Sequence, residues 1–185
     1  MTKIIQLETQ RLILRQWINS DFAEFFKLNS DPDVMQYFPD ILSKQESDQL
    51  AQRIQTLITT NGWGFWAIEV KDTRQFIGFT GLNKPQYKIP CSPCTEIGWR
   101  LSKSSWGKGY ATEAAKAALS FAFESLSLSE VYAFTTVKND RSRAVMERLQ
   151  MINTNQNFHH PEVPIDSHLR EHVLYKITNE QWFSQ

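Results

Sequence analysis

The spacing of apolar side chains changes along the first third of the chain, from the period of a strand to that of a helix. The segment RLILRQW, residues 11–17, alternates every second residue, which predicts a strand with one buried face. Residues 43–62 carry apolar side chains every three or four positions after an S-x-x-E sequence, which predicts a capped helix ending at Asn-Gly. Between them, FAEFFKL (22–28) after Ser-Asp and a short piece opened by Pro32 predict two more helices.

The remainder of the chain predicts five strands and two helices. Two β-rich runs joined by the turn KDTR predict an antiparallel hairpin, and a later strand that is apolar on both faces predicts a central place in a sheet. We therefore expect an α+β fold, with a mixed, mainly antiparallel central sheet and helices on both of its faces. The strands are expected over 63–70, 75–82, 95–101, 130–137 and 172–177, and the helices over 110–126 and 140–149.

Composition and charge exclude several classes of protein. The 185 residues contain 41% hydrophobic and 22% charged side chains, an ordinary globular mixture that predicts a single domain over residues 1–185. The 20 basic and 20 acidic side chains cancel, which argues against nucleic acid as a partner. No apolar run approaches the roughly 20 residues that cross a bilayer, and the charged N-terminus lacks a small-residue cleavage site. We therefore expect a cytoplasmic protein with no membrane partner.

The two cysteines, Cys91 and Cys94, have the spacing of half a zinc site or of a redox pair. None of the four histidines lies at zinc-finger spacing from them. The segment TEIGWRL after Cys94 predicts a strand, whereas a thioredoxin-like pair opens a helix. Two free thiols in a loop are the favoured interpretation, and no metal site is expected.

A glycine-bearing loop between a predicted strand and a predicted helix is the first candidate for chemistry. The segment SKSSWGKGYATEAAKAAL, residues 102–119, places Gly107 and Gly109 directly before strong helix formers. Glycine lets a ligand approach the main chain, and the free N–H groups and dipole of a helix N-terminus attract anions. The spacing fits neither a P-loop, GxxxxGK[ST], nor a dinucleotide fingerprint, GxGxxG. From the residues alone, an anion site and a tight turn without a ligand both remain open.

Two longer segments resemble the GNAT acyltransferases, and within them the RimJ/RimL-type branch. They are TEIGWRLSKSSWGKGYATEA, residues 95–114, and VKNDRSRAVMERLQM, residues 137–151. The resemblance implies the GNAT fold and transfer of an acetyl group from acetyl-CoA to a protein N-terminal amine or a small amine. It also implies that the glycine loop holds the pyrophosphate of acetyl-CoA. The family pattern Q/R-x-x-G-x-G/A is met at Gly109 and Ala111, whereas Trp106 replaces the Gln or Arg.

The same resemblance implies a set of residues that bind acetyl-CoA. Three strand residues are expected to pair with the pantetheine arm as an added strand would, and Gly98 is expected to distort that strand. An asparagine at the start of the following helix is expected both to cap the helix and to contact CoA. The expected cofactor-binding residues are Trp99, Arg100, Leu101, Trp106, Gly107, Lys108, Gly109, Tyr110, Ala111, Thr112, Asn139 and Ser142.

Acetyl transfer to an amine requires a base, because free alkyl amines hold their proton up to about pH 10. Glu96 corresponds to the strand glutamate that serves as base in histone-type members of the family. The alternative is that Glu96 only pairs with a basic neighbour or holds a loop.

The departing thiolate requires stabilisation or a proton. Met146 occupies the place of the family's tyrosine acid, and methionine cannot donate a proton. Asn139 and Ser142 match the N-x-x-S pattern of RimL-like relatives, in which the serine is the acid. Glu96 and Ser142 are therefore the expected catalytic residues.

Two further groups of residues are candidates for the acceptor side. A polar group, which consists of two histidines and a glutamate, could bind the acceptor or relay a proton, although a lone histidine is more often an ordinary surface residue. A group of three aromatic residues in the predicted hairpin could line an acceptor pocket, but packing of the hairpin is their favoured role. The polar residues are His159, His160 and Glu162, and the aromatic residues are Trp63, Phe65 and Trp66.

These observations together predict an acetyl-CoA-dependent N-acetyltransferase in which the amine attacks the thioester directly. One alternative is a CoA-binding sensor or regulatory protein without catalysis, and another is a phosphate-binding structural domain without CoA affinity. Glu96 and Ser142 favour the enzyme, whereas Met146 leaves room for the first alternative. The expected partner is an amine acceptor, which is a protein N-terminus, an amino acid, a polyamine or a drug. The chain is expected to be a monomer or a homodimer.

Overall fold

One sheet organises the part of the chain that the computed structural model describes, residues 2–184. Its strands pair in the order β1-β2-β3-β4-β5-β6-β9-β7, and β8 also pairs with β9. The parallel pair is β5 with β6, and the other pairs are antiparallel. The strands are β1 (Leu7–Glu8), β2 (Leu12–Arg15), β3 (Phe65–Val70), β4 (Phe76–Asn83), β5 (Glu96–Leu101), β6 (Glu130–Thr136), β7 (Ile152–Asn153), β8 (Phe158–His159) and β9 (Glu171–Thr178).

The predicted helices form, with one break, and a short helix at Asn179–Phe183 was not predicted. Ser43 and Glu46 make the expected capping box, and Gly62 ends that helix at a φ of 83°. The helix predicted over 110–126 changes to a π-helical turn at Phe121–Ser125, where the Leu126 N–H bonds to the Phe121 carbonyl at 3.1 Å. The helices are α1 (Asn19–Asn29), α2 (Pro32–Met35), α3 (Lys44–Asn61), α4 (Tyr110–Ser120), α5 (Asp140–Arg148) and α6 (Asn179–Phe183).

Helices cover both faces of the sheet, as expected. Successive strand residues point to opposite faces. Phe65 of β3 packs on Phe79, which contacts Phe25 of α1, with ring centroids 5.1 and 5.9 Å apart. The next residue, Trp66, packs on Phe121 directly after α4 at 5.5 Å. The mixed, mainly antiparallel α+β fold is therefore confirmed.

The parallel strands β5 and β6 meet near their first residues and then separate. Their register contains one pair, Glu96 opposite Tyr132, and the Tyr132 N–H donates to the Thr95 carbonyl at 3.0 Å. Beyond this pair no strand within residues 2–184 lies between them. We call this gap the β5–β6 wedge, and it opens toward the C-terminal ends of both strands.

Very short elements were not predicted. The strands β1, β7 and β8 contain two residues each, too few for a period to show. Between residues 2 and 184 there is no helix with both the length and the apolar character needed to cross a membrane.

Candidate active site

A cleft of about 1720 Å³ occupies the β5–β6 wedge and extends to α3 and to the segment after α2. Both expected catalytic residues, Glu96 and Ser142, line it. So do the expected cofactor-binding residues except Lys108, whose side chain is exposed outside the cleft. Segments far apart in the sequence therefore meet around one space.

The glycine loop at one end of this cleft has the backbone geometry that only glycine adopts readily. Gly107 and Gly109 have φ angles of 72° and 79°, and Gly109 is the residue that precedes α4. A Cβ at Gly107 would meet nothing within 4 Å, and one at Gly109 would meet only the tip of Arg11 at 3.5 Å. Glycine is therefore favoured at these two positions because the backbone there is left-handed. The loop lies beside open space, in front of the N–H groups of α4 that lack intrahelical partners.

Trp106 holds the loop against the end of β5. Its indole Nε1 donates to the Leu101 carbonyl at 2.9 Å. On the other side, the guanidinium of Arg141 in α5 lies 4.4 Å from the centre of the Trp106 ring. The tryptophan that departs from the family pattern thus positions a cation beside the loop, a contact that the sequence did not predict.

The free edge of β5 differs in one respect from the expectation. The backbone groups of Gly98 and Arg100 face β4, because Thr80 donates to the Gly98 carbonyl at 3.0 Å and the Arg100 carbonyl lies beside Gly78. The alternation of a strand therefore turns those of Trp99 toward the wedge. The pairing of β5 with β4 runs through Gly98 without a shift in register, so the strand distortion expected at Gly98 is wrong for the edge that faces β4. Gly98 instead makes room for the Phe65 ring, which a Cβ would meet at 3.2 Å.

Glu96 lies at the closed end of the wedge with an amide as its partner. Its side chain is 9% exposed, and Asn83 Nδ2 donates to Oε1 at 2.7 Å. Burial raises the pKa of the Glu96 carboxyl to about 7, although the Asn83 hydrogen bond lowers it. A basic partner was the alternative explanation for this residue, and within residues 2–184 Glu96 bonds to none. Its pKa is in the range that suits a general base at neutral pH.

Asn139 caps α5, as expected. Its Oδ1 accepts from the Ser142 N–H at 3.1 Å, and its Nδ2 donates to Thr135 Oγ1 at 3.0 Å. These bonds orient the first turn of α5, so the Ser142 side chain stands beside the cleft. Met146, one turn farther on, is 1% exposed and borders the same cleft.

His160, one of the acceptor-side candidates, forms a cluster near Glu96 with Tyr87 and His172, which the sequence did not predict. The Glu162 N–H donates to His160 Nδ1 at 3.2 Å, which leaves the proton on Nε2, 3.1 Å from Tyr87 Oη. His172 lies 4.9 Å from His160 between ring centres. Burial lowers the pKa of His160, and that of His172 to about 4, so both rings are neutral at pH 7. His159 is exposed, in contrast.

The aromatic candidates divide between the cleft and the core. Trp63 and Phe65 line the cleft, whereas Trp66 is fully buried in the core. Cys91 and Cys94 are free thiols, and burial raises the pKa of both.

Comparisons with known proteins agree with this geometry. A family model described as an acetyltransferase (GNAT) domain matches residues 11–152. The chain is 33% identical over 184 residues to the FsC-acetyl coenzyme A-N(2)-transacetylase of Aspergillus fumigatus, with 95% of this chain and 77% of the relative covered.

Solved structures share the fold. An acetyltransferase (GNAT family) from Bacillus anthracis superimposes with a TM-score of 0.78 at 22% identity, over 95% of this chain and 99% of that one. The ribosomal-protein-S5-alanine acetyltransferase of Vibrio fischeri superimposes with a TM-score of 0.74 at 17% identity, over 96% and 98%. The family model matches more than half of this chain, and the chain therefore belongs to the GNAT acetyltransferase family.

Proposed function

We propose that the chain transfers an acetyl group from acetyl-CoA to an amine, with Glu96 as the general base. The observation that carries this proposal is a buried carboxyl of pKa about 7 at the closed end of the same cleft that begins at the glycine loop. A carboxyl that ionises near neutral pH accepts a proton efficiently under physiological conditions. The family membership supports acetyl-CoA as the donor.

The proposed reaction is a direct transfer. The neutral amine nitrogen forms a bond to the thioester carbonyl carbon, the carbon–sulfur bond breaks, and its electron pair leaves on sulfur. The amine's surplus proton passes to Glu96, directly or through water, and then to solvent. The Ser142 hydroxyl donates a hydrogen bond to the departing thiolate, which Met146 cannot do.

The cofactor would lie along the wedge. The pyrophosphate would bind at Gly107–Thr112, where the loop lies beside open space and the first turn of α4 has N–H groups without intrahelical partners. Arg141, held beside Trp106, adds positive charge there. The pantetheine arm would then bond to the backbone of Trp99, which faces the wedge. The strands of the sheet that carries this site extend from Leu7 to Thr178 along the chain. This supports the proposal of a single domain over residues 1–185.

The donor half of the proposal is tested by calorimetry with CoA, and the transfer by thiol release from acetyl-CoA over an amine panel. The panel contains N-terminal peptides, amino acids, polyamines and aminoglycosides. We expect CoA binding and amine-dependent thiol release, which Glu96→Gln should slow by about 10²- to 10⁴-fold at neutral pH while CoA still binds. CoA binding without turnover on any amine would favour the sensor alternative, and absence of CoA binding would overturn the proposal.

A further inference from the structure

Arg15 and Arg100 are both half-buried, and their partners differ. Arg15 bonds to two carboxylates, Asp21 at 2.7 Å and Glu69 at 2.7 Å. Arg100 bonds to the Asn29 amide oxygen at 2.7 Å, and its fully buried Nε has no partner. Within residues 2–184, Arg100 forms no ion pair with a carboxylate. A charge partly removed from water without a counter-charge is costly, so Arg100 is a candidate to bind an anion from outside the chain.

The Arg100 side chain is held in place although its charge is not balanced. Ser47 Oγ accepts from Asn29 Nδ2 at 2.9 Å, and both residues are completely buried, which orients the Asn29 oxygen toward Arg100. The guanidinium lies 4.0 Å from the centre of the Phe38 ring and 5.5 Å from that of Phe79. A pre-oriented guanidinium is suited to bind a planar oxyanion with two hydrogen bonds.

Arg100 and the expected phosphate site lie on different faces of the sheet. Residues 96, 98 and 100 share one face of β5, and Phe65 covers Gly98 on that face. The π-helical turn after α4, with Phe121, packs on Trp66 and therefore on the opposite face. The glycine loop leads into α4, so the expected phosphate site and the Arg100 guanidinium belong to opposite faces of the sheet. Arg100 and Glu96 both line the cleft.

We infer that Arg100 binds a carboxylate of the acceptor. The amine at the other end of the same acceptor then reaches Glu96, and the apolar stretch between the two groups lies over Phe65. This inference rests on the proposed acetyl transfer and names the class of its acceptor, an amino carboxylate. Four residues of strand separate the two Cα atoms by about 13 Å, and the reach of the arginine side chain shortens the span. The acceptor is therefore one whose amine and carboxylate are several methylene groups apart.

The test compares ω-amino acids of four to ten carbons with their neutral ω-amino amides, which have the same amine and the same spacer. Wild-type protein is expected to acetylate at least one acid with a KM about 10- to 100-fold below that of its amide, because a hydrogen bond to a charged group contributes this much. Arg100→Met should remove the difference by raising KM for the acid alone, and Arg100→Lys should restore part of it. The KM for acetyl-CoA should stay unchanged.

Arg53→Met is the matched control, because it removes an exposed cation from the lining of the same cleft. It should leave the preference for the acid intact. Equal KM values for acid and amide throughout the series, or turnover of neither, would overturn the inference. So would a rise in the KM for acetyl-CoA alone in Arg100→Met, which would assign the guanidinium to a CoA phosphate. CoA binding and turnover of other amines would still uphold the acetyltransferase proposal in each of these cases.

Discussion

Buried carboxylates in this chain have two different kinds of partner. Asp21 and Glu69 are 2% and 4% exposed and form ion pairs with Arg15. Glu96 is 9% exposed and accepts one hydrogen bond from an amide. An ion pair favours the charged form of a carboxyl, whereas burial beside an amide leaves it partly protonated at neutral pH. This difference in environment supports proton transfer at Glu96 and a structural role for the other two carboxylates.

The Glu96→Gln variant is expected to lose the inflection near pH 7 in the pH profile of kcat/KM, while the rise that follows deprotonation of the amine remains. In the wild type, kcat/KM should rise through about pH 7 as the Glu96 carboxyl loses its proton. The variant should be slower by about 10²- to 10⁴-fold, with the deficit shrinking at high pH where the amine is already neutral. Steady-state kinetics from pH 5.5 to 9.5 measure this. A variant with the wild-type profile would transfer the role of base to another group.

The Asn83→Leu variant is a control that keeps the carboxyl. The Asn83 hydrogen bond lowers the pKa of Glu96, so its removal should move the rise in kcat/KM to higher pH. An unmoved profile would contradict the assignment of that rise to Glu96.

Glu96 should also make stability depend on pH. The carboxyl ionises near 4.5 in the unfolded chain and near 7 in the folded one, so between these values the folded state binds the extra proton. The free energy of unfolding should therefore fall as pH rises through this window, by up to roughly 3 kcal/mol. Urea denaturation at pH 5 and pH 8 should show this loss in the wild type and a smaller one in Glu96→Gln. Equal losses in both would assign the dependence to other groups.

The Ser142→Ala variant tests the thiolate end of the reaction. The Ser142 N–H, not its hydroxyl, bonds to Asn139, so the variant should keep the cap of α5. Turnover should fall more than acetyl-CoA affinity, because the hydroxyl acts on charge that develops at sulfur. Single-turnover kinetics with calorimetry separate the two quantities. Asn139→Ala, which removes the cap, is expected to lower stability as well.

Among the elements, the glycine loop is the one whose expected anion binding depends most on backbone conformation. The φ angles of Gly107 and Gly109 aim the chain into α4, and Trp106 fixes the preceding turn on β5. A helix N-terminus attracts anions only if its first N–H groups are left uncovered. The loop therefore combines a left-handed backbone with open space.

The Gly109→Glu variant is expected to abolish CoA binding, because a side chain and a negative charge would enter the expected phosphate site. Gly109→Asn is the control for backbone strain, since asparagine tolerates a positive φ better than other residues with a Cβ. It should lose less affinity. Calorimetry with CoA on the folded variants measures both, and unchanged affinity in Gly109→Glu would remove the loop from the binding site.

Across the chain as a whole, Arg15 joins separate parts of the fold. It ties β2 to Asp21 at the start of α1 and to Glu69 of β3, with 14% of its side chain exposed. Arg100 makes no comparable ion pair within the described residues. The two arginines should therefore contribute differently to stability.

Arg15→Met should lower the free energy of unfolding by roughly 3–5 kcal/mol, because it leaves buried carboxylates without this partner. Arg100→Met should lower it less, because removal of a charge that no carboxylate of the described chain balances offsets the cost of leaving the buried Asn29 oxygen without this donor. Urea denaturation at pH 7 compares them. A loss in Arg100→Met as large as that in Arg15→Met would make Arg100 a structural residue.

The sequence determined the longer elements and the family, because both are written in local patterns. Apolar periods located α3 and the β3–β4 hairpin, and the loop motif located Gly107 and Gly109. Only the tertiary structure decided the partners and the electrostatic environment of the side chains around the cleft. Tyr87 meets His160 across 73 positions of the chain, and Arg100 meets Asn29 across 71. The pKa of Glu96 and the unbalanced charge of Arg100 depend on loss of water and on such distant neighbours, which no local pattern records.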